Sequence, residues 1–248
     1  MATLASGTRR WIAGLLAAAA CLFCLYASAS ASSLMGYASA GGYQYVELGT
    51  FPQTLECGQE PILWRVLSAG DGTAYLLSEY VLENHRLDND DVAYELSGGD
   101  FTATEIYQYL NGEFLSHFTG EELAMLKASE SGAFFTLLSS DDLKNKAYGF
   151  TGDTQRKGYP TAYAVQNGLF QYQNGSSPYW TRSQSASHAY AAICTKTDGN
   201  LGYIRVVVQN EGLRPACTLA LDRVQITGGS GTQEDPYQIQ VSGGTGDE

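Results

Sequence analysis

Short alternating runs of apolar and polar residues fill both ends of the chain, and helical spacing appears in its middle. In "PILWRVLS", Ile62, Trp64 and Val66 share one face while Leu63, Arg65 and Leu67 share the other. That period of two predicts a strand, with Pro61 at its start, where a missing N–H does least harm. "GDGT" is turn chemistry and "AYLLSE" a second strand, so residues 62–78 are predicted to form a hairpin. Val46 and Leu48 alternate in the same way before Pro52 ends the run. Residues 84–101 have no period and many turn formers, which predicts a long loop.

From Thr102 the spacing changes. Ile106, Leu110, Phe114 and Phe118 recur every fourth residue, predicting a helix with a Thr102/Glu105 capping box and an irregularity at Gly112. Thr119 with Glu122 predicts the start of a second, short helix. "GAFFTLLS" reads as a strand, and "SSDDLKNKAYG" as a short helix with Ser140 near its cap and Gly149 at its stop. Residues 150–177 read as loop. Strands return in "YWTRS", "YAAICTKT", "GYIRVVVQ" and "LRPACTLAL", the second and third joined by Asp198-Gly199, a hairpin signal. Strands first, helices in the middle and strands last make the predicted class α+β, with mixed small sheets and two or three short helices in the middle of the chain.

The termini change the picture. "TRR", the uncharged run Trp11 to Tyr26 and "ASASAS" have the layout of a secretory signal peptide, with cleavage after Ala29 or Ala31. The expected organisation is a signal peptide over 1–31, a spacer over 32–42 and a domain over 43–221. A Gly/Ser hinge with a short strand follows over 222–240, then a disordered tail over 241–248. No second apolar run of membrane length follows, so no span is expected after signal cleavage; an uncleaved anchor is the alternative. Export implies a secreted or cell-surface protein.

The net charge is −12, and losing Arg9 and Arg10 with the leader would make it −14. Such a chain repels phosphate backbones, so nucleic acid is not an expected partner. Cys57, Cys194 and Cys217 remain after the leader; export permits a disulfide, but spacing selects no pair. No C-x-x-C follows the leader, and His85, His117 and His188 lack metal-ligand spacing. His117, near a helix end, is explained by the helix C-terminus. Asp88, Asp90 and Asp91 form the one weak calcium candidate, without the EF-hand glycine or distal glutamate; otherwise no cofactor is expected. Cys217 reads as a small buried hydrophobe. Among 17 tyrosines, Tyr159, Tyr163, Tyr172 and Tyr190 fall in predicted loops and are the candidate ligand-binding residues. Arg65, Arg182 and Arg214 lie in strand patterns near Trp64 and Trp180, with Trp180 and Arg182 expected on one face. They read as structural ties to loop carbonyls or a buried carboxylate, with an anion- or sugar-lined cleft as the alternative.

The ordered set "PILWRVL", "YLLSE", "YLNGEF" with "FTGEE", "FFTLLS", "YWTRS" and "GLRPAC" resembles an uncharacterised domain family of exported and surface proteins of Gram-positive bacteria. Its signature runs W-R-V-L, L-L-S, W-L-N-x-x-F, F-L-L-S, W-W-L-R-S and G-V-R-P-A. The resemblance covers roughly Tyr43 to Leu221. Tyr109 and Tyr179 stand where that family has tryptophan, and Thr181 where an apolar residue is common. The family is distantly similar to the C-type-lectin-like fold of formylglycine-generating enzymes and bacterial major-paralogue domains. This implies an N-terminal strand meeting a C-terminal one, two helices and a late second sheet. The lectin calcium site and the enzymes' close cysteine pair are not matched. The resulting expectation is a non-catalytic binding module of the bacterial envelope, with a glycan or protein partner. The alternatives are an extracellular enzyme with an unrecognised cleft, or a purely structural envelope component. An enzyme should converge titratable groups in one pocket; a binder should present an aromatic, largely uncharged patch.

Overall fold

The hairpin over 62–78 forms as predicted and becomes the middle of a large sheet. The computed structural model describes residues 29–38 and 41–243. β1 (Ala29–Ser30), β2 (Tyr45–Pro52), β3 (Gln59–Gly70) and β4 (Thr73–Ser78) precede β5 (Glu83–Asn84). The helices α1 (Asp91–Leu96), α2 (Glu105–Leu110) and α3 (Gly120–Ala124) follow, then β6 (Phe135–Thr136), α4 (Asp153–Arg156) and α5 (Ala162–Gln166). The chain continues with β7 (Tyr179–Gln184), β8 (Ala191–Thr195), β9 (Leu201–Arg205), β10 (Gly212–Leu213), β11 (Ala216–Ala220), β12 (Val224–Gly228) and β13 (Tyr237–Val241). Asp71 and Gly72 both take positive φ (50° and 74°), the turn whose twist matches the flanking strands β3 and β4. Ile62, Trp64 and Val66 are fully buried.

An eight-stranded sheet runs β1-β12-β13-β2-β3-β4-β11-β6, and a five-stranded sheet runs β5-β10-β7-β8-β9. The class is α+β with sheet dominant and short helices. Between the sheets lies the larger apolar cluster, with Trp64, Phe114, Phe135 and Trp180 at zero to 1% exposure. Phe135 stacks near Trp64 and meets Phe114 edge-on at 5.2 Å.

Several expectations need correction. Pro61 sits inside β3, opposite Thr50, and not at its start. The helix expected from Thr102 begins at Glu105: Asp100 caps the turn at 101–103, and Thr104 caps α2 through the Tyr107 N–H. It breaks at Gly112, as its glycine implied, and continues as a 3-10 turn to His117. The 139–149 segment makes two 3-10 turns: a reciprocal Ser139–Asp142 pair, and not Ser140, braces the start of the first, Asn145 caps the second, and Gly149 (φ 85°) stops it. The two long loops are only partly loop. α1 lies in the first, and α4 and α5 lie in the second, each too short to print a period on the sequence. The predicted Thr119/Glu122 box and the Asp198-Gly199 turn both form.

The ends are built into the large sheet. β1 pairs with β12, Ala31 and Leu34 are buried, and Tyr37 donates its N–H to Leu67, so much of the stretch read as a spacer packs. Cleavage after Ala29 or Ala31 would fall at β1. Residues 1–28, which hold most of the expected signal peptide, lie outside the described residues. The Gly/Ser stretch after Gly228 is a turn between β12 and β13, with Gly229 and Gly231 both at φ 78°. β13 pairs parallel to β2 and carries strand through Val241, the first residue of the expected tail; 244–248 lie outside the described residues. Among the described residues no helix is long and apolar enough to cross a membrane.

Candidate functional site

The large sheet ends at β6, only two residues long, and a groove of about 510 Å³ opens beside it. That volume suits a small ligand or a few sugar rings. Phe101 and Tyr107 contribute aromatic faces, their rings edge-to-face at 5.5 Å, and Phe134 adds a third. The Tyr107 hydroxyl lies 3.0 Å from Ser131 Oγ, which lies 2.9 Å from Ser129 Oγ, making a chain of three hydroxyls along the groove. The loop holding the serines is pinned by Ser129 and Ala133, whose backbones exchange one hydrogen bond while the Ser129 hydroxyl accepts a second from the Ala133 N–H.

Two cations reach this groove, Lys127 and Arg182. Arg182 is tied down: its guanidinium pairs with Asp142 at 2.9 Å and donates to the Leu137 carbonyl, and its backbone N–H donates to the Leu138 carbonyl. Its side chain keeps about one third of its surface exposed, so it is both a tie and part of the groove. Burial pushes the neighbouring Tyr75 hydroxyl up to about 12 against the pull of Arg182. Cys217 also borders the groove, but burial raises its thiol well above the usual range, so it supplies no thiolate. The lining contains neither carboxylate nor histidine.

The residues singled out in the sequence fall in different places. Trp64 donates to the Leu48 carbonyl at 2.8 Å, and Trp180 to the His85 carbonyl at 2.6 Å. Arg65 pairs with Glu79 at 2.5 Å under the Tyr43 ring. Arg214, 1% exposed, donates to the carbonyls of Ser78 and Glu79 and lies over the Tyr179 ring at 5.0 Å. Trp180 and Arg182 do not act on one face as expected. A register shift between Trp180 and Gln184 breaks the alternation, leaving Trp180 in the core and Arg182 at the groove.

Of the candidate tyrosines, Tyr159, Tyr172 and Tyr190 are exposed, while Tyr163 is half-buried on α5 with its ring edge-on to Phe51. No ring contact or hydrogen bond joins any two of the four among the described residues, and none borders the groove. The acidic candidates are engaged elsewhere. Asp88 accepts from the Asn89 N–H, Asp90 caps α1 through the N–H groups of Val92 and Ala93, and Asp91 pairs with Arg205. No group of three or more His, Cys, Asp or Glu that could hold a metal occurs among the described residues. His117 packs against Phe51 at 4.6 Å, and desolvation lowers its pKa despite a backbone hydrogen bond at Thr50. His117 is also the last residue of the 3-10 turn, so it stands at a helix end as expected, and it packs among aromatic rings there.

A second depression, about 260 Å³, is polar: Arg86 there is paired with Glu105 at 2.7 Å, and His85 Nδ1 lies 2.6 Å from the Arg86 carbonyl. Cys57, Cys194 and Cys217 are all free thiols, Cys57 exposed and the other two buried. The groove itself was missed from sequence. Phe101, Tyr107, Lys127 and Phe134 come from aperiodic or short segments, and only the tertiary fold places them beside Arg182.

Residues 132–221, from just before β6 to just after β11, match the model of a family described as "Domain of unknown function (DUF6273)". The matched stretch contains Trp180, Arg182 and Arg214 and excludes the β3–β4 hairpin. No curated protein and no solved structure matches the chain.

Proposed function

We propose that this chain is an exported, non-catalytic binding module of the bacterial envelope, and that the groove beside β6 holds a glycan. The observation that carries the proposal is the lining: four aromatic rings (Phe101, Tyr107, Phe134 and the more deeply set Phe135) and a chain of three hydroxyls, without a carboxylate or histidine to act as general acid or base. Flat rings stack on sugar faces, and hydroxyls that both donate and accept match sugar hydroxyls. Cys217 offers no nucleophile, its thiol held protonated by burial.

The fold reading that goes with this is C-type-lectin-like. It is supported by the pairing of β2 near the start of the domain with β13 near its end, and by a second, smaller sheet assembled mostly from late strands. The leader-like first 31 residues support export. The resemblance across roughly Tyr43 to Leu221 supports the same reading for the residues that precede the matched stretch.

The test is a glycan array probed with the purified protein and with Tyr107→Ala and Phe134→Ala variants, with and without calcium. Selective binding lost in both variants supports the module. Binding that survives both substitutions moves the site elsewhere, and Tyr159, Tyr172 and Tyr190 become the next candidates. A folded protein that binds no glycan overturns the reading. Calcium dependence would redirect attention to Asp88, Asp90 and Asp91.

A further inference from the structure

The groove does not end at Phe134. A second groove of about 590 Å³ shares Lys127, Ala128 and Phe134 with the first and continues to Leu123 and Arg223. Together they are lined by three cations, Arg182, Lys127 and Arg223, and by no Asp or Glu. In a chain with 26 acidic and 14 basic residues, an extended surface with only positive charge runs against the composition. Glu121, Glu130 and Asp222 are near in sequence but are not part of the lining.

Two of the three cations are available. The Lys127 ammonium has no ion-pair or hydrogen-bond partner among the described residues, although its backbone N–H is fixed to Thr218. Among the described residues Arg223 reaches only two backbone carbonyls, Ala124 and Leu126, at 3.4 and 3.5 Å. Both side chains are exposed. Arg182, held by Asp142, completes the line at the other end.

Resting on the glycan-binding reading, we infer that the ligand is a linear, carboxylate-bearing polysaccharide. It would lie along the joined grooves, its acid groups on Lys127, Arg223 and the free edge of Arg182, its rings on Phe101, Tyr107 and Phe134. A guanidinium fork matches a carboxylate in two parallel hydrogen bonds, and an unpaired ammonium supplies a point charge. The net charge of the whole molecule argues for sparse acid groups. Duplex nucleic acid, with one charge per about 1.7 Å, would press far more charge against the surrounding negative surface within a Debye length of about 8 Å than a sugar chain with at most one acid per ring. Strand addition of a peptide is opposed by the edge of β6, whose backbone groups at Phe134 and Phe135 are already taken by Asn111.

The experiment is calorimetric titration of the full protein with oligogalacturonate, with its fully methyl-esterified form, and with a single-stranded oligonucleotide. Lys127→Ala/Arg223→Ala and Tyr107→Ala proteins are titrated in parallel. The expected result is at least tenfold tighter binding of the acid than of the ester. A similar loss should follow the double substitution, with a shallower salt dependence. Equal affinity for acid and ester, both lost in Tyr107→Ala, overturns the charge assignment while leaving a glycan groove. Tighter binding of the oligonucleotide overturns it in favour of phosphate. Binding of none of the three overturns it outright, and the array then decides the broader reading independently.

Discussion

Asn111 completes the sheet edge for Phe135. Its side-chain carbonyl accepts from the N–H groups of Phe134 and Phe135 at 2.9 and 3.0 Å, and its amide donates back to the Phe135 carbonyl at 2.9 Å. One side chain thus does for β6 what a ninth strand would do, and it anchors the end of α2 to the groove. Replacing it with alanine leaves polar backbone groups beside the core without partners. We expect Asn111→Ala to lower unfolding free energy by about 1–3 kcal/mol and to promote edge-to-edge association. Urea denaturation with light scattering checks both. Unchanged stability would mean that water replaces the amide without loss.

Arg214 is a comparable tie inside the fold. It joins the β10–β11 junction to the chain leaving β4 through the Ser78 and Glu79 carbonyls, at 2.9 and 3.0 Å. Burial holds its pKa below the usual arginine range, so the charge is retained only because guanidinium is so strong a base. Lysine cannot reach both carbonyls and is easier to deprotonate. Arg214→Lys should therefore cost about 1–3 kcal/mol while leaving groove ligands bound with unchanged affinity at low temperature. Loss of binding from a variant of wild-type stability would place Arg214 in the site instead.

Much of this was legible along the chain, and the reasons are local. The β3–β4 hairpin announces itself through alternation and the Asp71-Gly72 turn, α3 through its capping box, and the stop at 149 through a glycine, which takes the positive φ that ends the turn. Where the reading failed, a competing local signal prevailed. Thr104, not Thr102, caps α2, because Asp100 had already claimed the Thr102 N–H. Gly229 and Gly231 look like a hinge but close a strand pair. The groove was illegible for a different reason. Tyr107, Lys127 and Arg182 meet only after β6, β11 and α2 have packed, and no spacing rule links residues so far apart in sequence. Asn111 stands within the "YLNGEF" motif, but its role depends on an edge strand of two residues that no pattern delimits.

The thiols should separate cleanly. Cys57 is exposed, whereas Cys194 and Cys217 are buried and desolvation raises both well above the normal thiol range. Brief iodoacetamide treatment of the native protein should modify Cys57 and spare the other two; denaturant should expose all three. Peptide mapping reads the sites. Rapid modification of Cys217 in the folded protein would contradict its burial under the groove.

Glu211 links stability to pH. The residue is 5% exposed, its carboxyl lies beside the Cys194 thiol, and one carboxyl oxygen has no partner among the described residues; its backbone carbonyl accepts from the His85 N–H. Desolvation pushes its pKa from 4.5 up to about 8, only weakly opposed by the hydrogen bond from Cys194. At neutral pH the folded state therefore holds this proton and the unfolded state does not. Below pH 4.5 both states are protonated and the group contributes no slope; between 4.5 and about 8 stability falls as pH rises; above that the effect is complete. Glutamine imitates the protonated acid and cannot ionise. Across that window, the stability of Glu211→Gln relative to wild type should climb by about 1.4 kcal/mol per pH unit, the value for one proton. Denaturation curves taken from pH 4 to 9 decide the matter: two parallel pH profiles would show that Glu211 is already ionised in the fold.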